Sequence, residues 1–254
     1  MYGIGIDIGS TSAKVAVMDS GGKTVFTDLR PTGWSGRDTA EDIKALLDGM
    51  GFTSCCRTVA TGYGRISVPY ADKTITEITC HGRGAFRLFG SPSMTVIDIG
   101  GQDTKVMNVE DGSVTDFLMN DKCSAGTGRF LEVMATALGL SIDRLCDAAS
   151  KGSGTSISSM CTVFAESEVI SLIGRGEPRE NIAFAIVDSI VQKVAAQAGR
   201  LSGLGKDVFL TGGLCDCPYV VKALSDTLGR PVSTCPEARY AGAIGAAVSA
   251  LKLK

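Results

Sequence analysis

The feature of this sequence that most constrains its fold is an internal repeat. Residues 6–19 read IDIGSTSAKVAVMD, and residues 97–110 read IDIGGQDTKVMNVE. Aligned with a shift of 91 residues (98 − 7), the two segments share isoleucine, aspartate, isoleucine and glycine, followed by lysine and valine. Each copy predicts an apolar strand, a glycine-led turn and a second strand, which together form a β hairpin. We therefore expect two related α/β halves, each of which opens with the same hairpin.

Strands and helices alternate along the rest of the chain. TVFTDLR predicts a further strand of the first sheet, and DVFLTGG predicts a strand that runs into a glycine turn. Apolar residues at helical spacing predict helices over residues 39–50, 74–88, 125–138, 162–173, 181–201 and 218–228, and an Ala/Gly-rich helix closes the chain. This mixed order predicts one helix-covered sheet in each half. We assign residues 1–92 plus 238–254 to the first half and 93–237 to the second.

Composition and charge exclude several classes of protein. The 254 residues are 44% hydrophobic and 20% charged, which is typical of a globular chain. Lysine plus arginine (25) nearly balances aspartate plus glutamate (27), and no basic cluster with interleaved aromatic residues indicates nucleic-acid binding. The amino terminus predicts a strand rather than a signal peptide, and no uncharged apolar run is long enough to span a bilayer. We therefore expect a cytoplasmic protein that binds neither nucleic acid nor membrane.

The nine cysteines need a separate explanation. In a reducing cytoplasm a disulfide framework is the wrong interpretation. Cysteine is often a small buried hydrophobic residue, and this is the role we expect of Cys55, Cys56, Cys80 and Cys146.

The two glycine-led turns have the chemistry of a phosphate site. Such a turn exposes consecutive backbone N–H groups that can surround a phosphate, and the first copy adds the hydroxyl groups of residues 10–12 and the charge of Lys14. Asp7 and Asp98 occupy equivalent places in the two copies, where carboxylates suit Mg²⁺. The alternative is two ordinary turns with solvated acids. No GxxxxGK[ST] motif and no strand–GxGxxG–helix motif is present, so other common nucleotide sites are excluded.

A third glycine motif follows the strand near residue 210. Thr211, Gly212 and Gly213 end that strand, and a glycine turn there allows the backbone to approach an adenosine closely. An ordinary tight turn between a strand and a helix would give the same pattern.

Together these motifs resemble those of a known superfamily. DIGST, DIGGQDTK and TGG, in this order, resemble the actin, Hsp70 and sugar-kinase superfamily of ATPases. NDKCSAGTGRFLEVMA (120–135) and SMCTVFAESEVISL (159–172), together with ATGYGR and YAGAIGAA, resemble the activators of 2-hydroxyacyl-CoA dehydratases and the ATPase subunits of benzoyl-CoA reductase. The resemblance covers essentially the whole chain and implies two ribonuclease H-like, actin-like ATPase domains with ATP in the cleft between them.

The resemblance also implies a cofactor and partners. It implies an oxygen-sensitive homodimer with one [4Fe-4S] cluster on its twofold axis, for which each subunit supplies two thiolates from Cys123 and Cys161. A reduced ferredoxin or flavodoxin would be the electron donor, and a dehydratase or reductase component would be the acceptor. General chemistry agrees, because such a cluster takes four cysteine ligands and two per subunit become four by twofold symmetry. Both cysteines also directly precede predicted helices, whose N-termini carry roughly half a positive charge.

The resemblance assigns the remaining site residues. Asp7, Asp98 and Gln102 are the candidates for Mg²⁺ and water positioning. The candidates for binding ATP or ADP are Ser10, Thr11, Ser12, Ala13, Lys14, Gly100, Gly101, Gln102, Asp103, Gly212 and Gly213. Cys215 and Cys217 form a CxC pair that supplies only half of a usual metal site, so we do not expect them to be ligands. His81, the single histidine, is expected in packing or at the surface.

These expectations combine into one hypothesis with three alternatives. ATP binding would move the helices that follow Cys123 and Cys161, with Gly126-Thr127-Gly128 as the connecting lever, and would thereby allow one-electron transfer to the partner. A small-molecule kinase that uses Asp98 or Asp103 as base is the main alternative. A non-catalytic nucleotide switch or filament, and an activator of a double-cubane-cluster reductase, are the others.

Overall fold

A computed structural model describes residues 1–52, 55–158 and 161–253. Within them, ten strands form two five-stranded sheets. The strands of the first sheet are β1 (Tyr2–Ile8), β2 (Ser12–Asp19), β3 (Thr24–Pro31), β4 (Cys56–Thr61) and β5 (Lys73–Thr74). Those of the second are β6 (Ser93–Ile99), β7 (Thr104–Glu110), β8 (Ser113–Asn120), β9 (Asp207–Gly212) and β10 (Val232–Ser233).

The two sheets have the same strand order. The first runs β3-β2-β1-β4-β5, and the second, written from its other edge, runs β8-β7-β6-β9-β10. Strand β1 pairs antiparallel with β2 and parallel with β4, and β6 pairs parallel with β9 in the same way. Every strand of the first sheet therefore has a counterpart five strands later, which confirms that the chain contains two related α/β halves.

The helices associated with the first sheet are α1 (Gly36–Gly49), α2 (Glu77–Phe89) and, from the end of the chain, α8 (Ala241–Ala250). Glycines allow α8 to lie against β1 and α2 without intervening side chains. A Cβ atom at Gly5 would overlap the carbonyl oxygen of Ala243, and one at Gly84 would overlap that of Ala241. The small residues of YAGAIGAA are thus needed for close packing, and α8 is buried along nearly its whole length.

The helices associated with the second sheet are α3 (Gly128–Ala137), α4 (Ile142–Ala149), α5 (Thr162–Gly174), α6 (Arg179–Ala198) and α7 (Pro218–Leu228). The long helix α6 supplies much of the core, with buried apolar residues from Ile182 to Ala198. Only Ala165 and Val169 are buried in α5, although this helix is strongly apolar. The α5 helix therefore presents apolar side chains to solvent in the described chain.

The contacts between residues divide the chain into two compact units. One unit consists of Met1–Ser93, Val109–Thr115 and Glu237–Lys254, and the other of Met94–Asn108 and Asp116–Pro236. The boundaries predicted from sequence, 1–92 plus 238–254 and 93–237, remain a prediction about functional domains. None of the helices described in the two units is long and apolar enough to cross a bilayer.

Candidate functional site

Asp7 lies near the end of β1 and is buried, with 6% of its surface exposed. Its neighbours across the sheet are Lys14 on β2 and Thr61 on β4. Two glycines enclose its carboxylate. A Cβ atom at Gly62 would overlap Asp7 Oδ1, and one at Gly242 would lie 2.6 Å from Oδ2. The ATGYGR and YAGAIGAA segments therefore leave room for the aspartate carboxylate and for no further side chain.

The turn between β1 and β2 is held by backbone hydrogen bonds and by Thr32. The N–H group of Gly9 donates to the carbonyl oxygen of Ser12 (3.1 Å), and the hydroxyl group of Thr32 donates to the carbonyl oxygen of Gly9 (2.7 Å). Ser10 and Thr11 are exposed at the tip of the turn, Ser12 and Lys14 are half-buried, and Ala13 is buried. The predicted phosphate-binding hydroxyl groups thus lie on a turn whose backbone is held in place by these two hydrogen bonds.

Asp98 occupies the same position on β6 and is also buried. The hydroxyl group of Thr211 donates to Asp98 Oδ1 at 3.2 Å, and the ammonium group of Lys105 lies 3.4 Å from Asp98 Oδ2. The same ammonium group lies 2.7 Å from Asp103 Oδ2. Lys105 was not selected from the sequence. Its signal was available, since it is the lysine that both hairpin copies share, at the position of Lys14.

The second hairpin turn is closed by the N–H group of Gly100, which donates to the carbonyl oxygen of Asp103 (2.9 Å). Gly100 and Gly101 are half-buried, and Gln102 is exposed at the tip. Within the second unit, the structure therefore brings the predicted residues Asp98, Gln102 and Asp103 to one end of the sheet.

The TGG motif also reaches Asp98. Gly212 ends β9 with φ +85°, and a Cβ atom there would lie 2.7 Å from Asp98 Oδ1. The N–H group of Gly213 donates to the carbonyl oxygen of Ile99 at 3.1 Å. Gly212 is the counterpart of Gly62, which follows β4 with φ +84° and touches Asp7 in the same way. The internal repeat thus includes a Thr-Gly pair at residues 61–62 and 211–212, which sequence comparison of the hairpins alone did not reveal.

Cys123 and Cys161 are both exposed free thiols in the second unit. Cys161 is the N-cap residue of α5. The residues that follow the two cysteines are hydrogen-bonded to each other, since the hydroxyl groups of Ser124 and Thr162 lie 2.8 Å apart. The two segments that carry these cysteines therefore meet on the surface. Ser159 and Met160 of the second cysteine motif lie outside the described residues.

The prediction that both cysteines directly precede helices is wrong for Cys123. Helix α3 begins at Gly128, not near residue 125, because Gly126 has φ +89° and Thr127 is the extended N-cap residue. Cys123 instead lies in a loop, where Lys193 Nζ approaches its sulfur atom at 4.0 Å. A lysine N–H group, rather than a helix dipole, is the nearby positive group for this cysteine.

The other cysteines differ in burial. Cys80 and Cys146 are buried as expected, but Cys55 is exposed and Cys56 is half-buried, because they lie where the chain enters β4. Burial raises the pKa of the Cys80 thiol to about 11. A hydrogen bond between Cys146 and Cys217 lowers the pKa of Cys217 and, together with burial, raises that of Cys146.

Cys215 and Cys217 do not form a larger ligand group in the described residues. No set of three ligand atoms from cysteine, histidine, aspartate or glutamate within 4.8 Å of one another there includes either cysteine. Cys215 is buried and donates to Asp216 Oδ1 at 3.4 Å. His81 is buried on α2, which agrees with a packing role.

The donor set of the two exposed cysteines fits half of an iron–sulfur site. A [4Fe-4S] cluster takes four thiolates, and one chain offers two of them on adjoining segments. A second copy of the chain would supply the other two. The N-terminus of α5 at Cys161 and the ammonium group of Lys193 near Cys123 suit an electron-rich group.

Comparison with known proteins identifies the family. Residues 4–250 match the model of the BadF/BadG/BcrA/BcrD ATPase family. The chain belongs to this family. It is 43% identical over 256 residues to the (R)-2-hydroxyglutaryl-CoA dehydratase activating ATPase of Acidaminococcus fermentans, with 99% of this chain and 98% of that protein covered. It is 42% identical over 254 residues to the activator of lactoyl-CoA dehydratase of Anaerotignum propionicum, with 98% and 97% covered.

Solved structures agree with this assignment. The structure of A. fermentans (R)-2-hydroxyglutaryl-CoA dehydratase component A matches with a TM-score of 0.91 at 42% identity, covering 99% of this chain and 98% of that one. The ADPNP-bound activator of 2-hydroxyisocaproyl-CoA dehydratase from Clostridium difficile matches with a TM-score of 0.90 at 35% identity, covering 99% and 94%. A ROK family glucokinase from Streptomyces griseus, at 15% identity and a TM-score of 0.63, covering 98% of this chain and 99% of that one, shows the shared fold alone. The expected family and actin-like ATPase fold are thus confirmed, and the chain is an ATPase-family protein.

Proposed function

We propose that this chain hydrolyses ATP to drive the transfer of low-potential electrons to a 2-hydroxyacyl-CoA dehydratase or a related CoA-substrate reductase. It would act as a homodimer that binds one [4Fe-4S] cluster. The observation that carries the proposal is the hydrogen bond between Ser124 and Thr162, which joins the segments of the two exposed cysteines. The names of the relatives, which are dehydratase activators, support the same partner class.

The nucleotide roles follow from the two hairpins. Asp7 and Asp98 are proposed to bind Mg²⁺ through its waters, which is the mode of binding that this ion prefers. The exposed hydroxyl groups of Ser10 and Thr11 would bind phosphate oxygens, and the exposed Gln102 would orient the attacking water. The backbone at Gly212 and Gly213 would approach the nucleoside. A relative with bound ADPNP and the family itself support nucleotide binding.

The proposed homodimer explains the exposed apolar face of α5. Val163, Phe164, Ile170 and Ile173 are all exposed on this helix, which begins directly after Cys161. Exposed apolar patches of this kind mark interaction sites. A second copy that shares the four cysteines would lie next to this helix, because the two remaining thiolates must come from it.

When bound, the cluster supplies a one-electron redox couple whose potential depends on hydrogen bonds and solvent exposure. The chain's own residues would set both quantities. Lys193 offers a hydrogen-bond donor to Cys123, and the surface position of both cysteines leaves their ligand sphere accessible to a partner protein. A reduced ferredoxin or flavodoxin is the proposed donor. The partner, rather than this chain, would bind the acyl-CoA substrate.

Iron analysis under anaerobic conditions tests the proposal. We expect about four irons per dimer in the wild-type protein, with a visible charge-transfer absorbance that air bleaches. Cys123→Ser and Cys161→Ser should each lose the iron. Cys55→Ser is the matched control, because Cys55 is another exposed free thiol and should leave the iron content unchanged. An iron-free wild-type protein that still hydrolyses ATP would overturn the proposal and favour the kinase alternative.

A further inference from the structure

We propose that Thr104 is a positioning residue that couples the nucleotide-binding turn of the second hairpin to the segment carrying Cys123. This inference rests on the proposed function and adds to it the physical connection between the two sites. It concerns the second unit alone, since all the residues involved lie within it.

The central contact is one buried hydrogen bond. Thr104 follows Asp103 directly at the start of β7, and only 1% of its surface is exposed. Its hydroxyl group donates to the carbonyl oxygen of Gly126 at 2.6 Å. Gly126 is three residues after Cys123. A side chain that starts in the phosphate-binding hairpin therefore ends on the cysteine-bearing loop.

Two backbone hydrogen bonds run parallel to this contact. The N–H groups of Gly128 and Arg129, in the first turn of α3, donate to the carbonyl oxygens of Gly100 (2.9 Å) and Gly101 (2.7 Å). In a planar trans peptide the carbonyl group and the following N–H group point in opposite directions. The peptides whose oxygen atoms bind α3 therefore direct their N–H groups away from this helix. Those N–H groups belong to Gly101 and Gln102, which are candidates for binding phosphate.

The turn at Gly100 and Gly101 packs directly against the first residue of α3, with no space between them. A Cβ atom at Gly128 would lie 3.1 Å from the carbonyl oxygen of Gly100 and 3.4 Å from the Cα atom of Gly101. A phosphate that tilts these peptide planes would therefore displace the start of α3 rather than compress a gap.

The connection continues to the second cysteine. The hydroxyl group of Thr127, which is fully buried, donates to the carbonyl oxygen of Ser124 at 2.6 Å. The hydroxyl group of Ser124 lies 2.8 Å from that of Thr162, the residue after Cys161. A continuous series of hydrogen bonds thus joins the hairpin to both cysteine segments. Such a series is a physical route for coupling, and its strength has to be measured.

The test measures how nucleotide changes the reactivity of Cys123. The full-length protein, with its cluster removed by chelation, is treated with iodoacetamide in the presence of saturating Mg-ADPNP, Mg-ADP or no nucleotide. Peptide mass spectrometry then follows the alkylation of Cys123. We expect the alkylation rates of wild-type Cys123 with Mg-ADPNP and with Mg-ADP to differ by a ratio of at least about five, which is the lower end of typical allosteric coupling.

Four variants separate coupling from stability. Thr104→Val keeps the shape and removes the hydroxyl group, so the ratio of rates should fall towards one, whereas Thr104→Ser keeps the donor and should keep most of the ratio. Thr136→Val is the matched control: Thr136 donates to the carbonyl oxygen of Glu132 in the same helix, on its exposed side, and should show the wild-type ratio. Gly128→Ala instead presses on the Gly100–Gly101 turn from the α3 side and provides a second test if Thr104→Val does not fold.

A wild-type ratio in both Thr104→Val and Gly128→Ala would overturn the inference, as would a wild-type protein in which Cys123 reacts equally in all nucleotide states. Iron content is measured separately. Loss of the proposed function would appear as a wild-type protein without iron, while the alkylation ratio reports the coupling whether or not iron binds.

Discussion

Lys105 and Asp103 form an ion pair, with 2.7 Å between Nζ and Oδ2, although the lysine side chain is only 1% exposed. The ammonium group also lies 3.4 Å from Asp98 Oδ2, so one buried cation lies beside two carboxylates. In the first copy of the repeat, Ser12 stands where the second copy has Asp103. The two hairpins therefore differ in charge at one position, and in the second copy the lysine that both copies share lies beside two carboxylates.

Replacing Lys105 should destabilise the protein strongly. Lys105→Met removes the cation beside the buried Asp98 carboxylate and the half-buried Asp103 carboxylate, and breaking such a buried ion pair costs roughly 3–5 kcal/mol of unfolding free energy. Lys44→Met is the control, because the exposed Lys44–Asp48 pair of α1 contributes only about 0.5 kcal/mol. Urea denaturation followed by circular dichroism measures both. Adding Asp103→Asn to Lys105→Met should recover part of the loss, and equal stability of the two lysine variants would contradict this account.

Gly62→Ala should lower nucleotide affinity, and by more than the backbone strain of an alanine at positive φ alone would explain. Gly62 and Gly51 both have φ +84°, so alanine costs roughly 1–2 kcal/mol at either position. A Cβ atom at Gly51 meets nothing within 4 Å, whereas one at Gly62 overlaps the Asp7 carboxylate. We expect Gly51→Ala to keep nucleotide affinity and Gly62→Ala to lose at least about tenfold, or 1.4 kcal/mol. Calorimetric titration with Mg-ADPNP gives both values, and equal affinities would argue against a role for Asp7.

Local sequence patterns were sufficient to predict the repeat and most of the helices. The hairpins at 6–19 and 97–110 predicted two related halves, and the two sheets have matching strand orders. Helix α7 was predicted at its observed bounds, Pro218–Leu228, because proline at its start and glycine after its end mark both limits locally. Strands β4, β5, β8 and β10 and helix α4 were not predicted. For β5 and β10 the reason is local, since two residues carry no measurable periodicity.

The features that sequence analysis missed depend on contacts between distant residues. The role of Gly62 becomes visible only when β4 pairs with β1 and brings this glycine to Asp7, 55 positions away (62 − 7). The start of α3 at Gly128 depends on the positive φ of Gly126, against which the side chain of Lys193 packs. No local pattern contains these long-range contacts.

The thiol pair of Cys146 and Cys217 should show a specific order of reactivity with pH. Their hydrogen bond lowers the pKa of Cys217 and raises that of Cys146, and burial raises the pKa of Cys80 to about 11. Because the thiolate is the reactive form, Cys217 should alkylate at a lower pH than the other two. The rate for Cys80 should rise about tenfold per pH unit up to about pH 11. Peptide mass spectrometry between pH 6 and 10 measures each site.

Cys146→Ala provides the control for the thiol pair. It removes the hydrogen-bond donor, so the alkylation profile of Cys217 should move to higher pH while that of Cys80 stays in place. An unchanged Cys217 profile in this variant would show that the hydrogen bond does not set its pKa.

The proposed dimer predicts a sharp contrast between two exposed phenylalanines. Phe164 is 67% exposed on α5, three residues after Cys161, and Phe117 is 46% exposed on β8. A charge at the centre of an apolar interface costs at least about 2 kcal/mol, close to thirtyfold in the dimer dissociation constant. Phe164→Asp should therefore shift the protein towards monomer in anaerobic sedimentation experiments and lower its iron content together with dimer content.

Phe117→Asp introduces the same charge at a phenylalanine that the proposal leaves outside the interface, so its dissociation constant and iron content should match the wild type. Because the two substitutions are chemically identical, general effects on solubility cancel in the comparison. A dimer that tolerates Phe164→Asp and dissociates with Phe117→Asp would assign the interface to β8 and remove the argument that α5 faces the second copy. Loss of iron in Phe164→Asp without dissociation would instead assign this side chain to protection of the Cys161 ligand, since α5 begins at that residue.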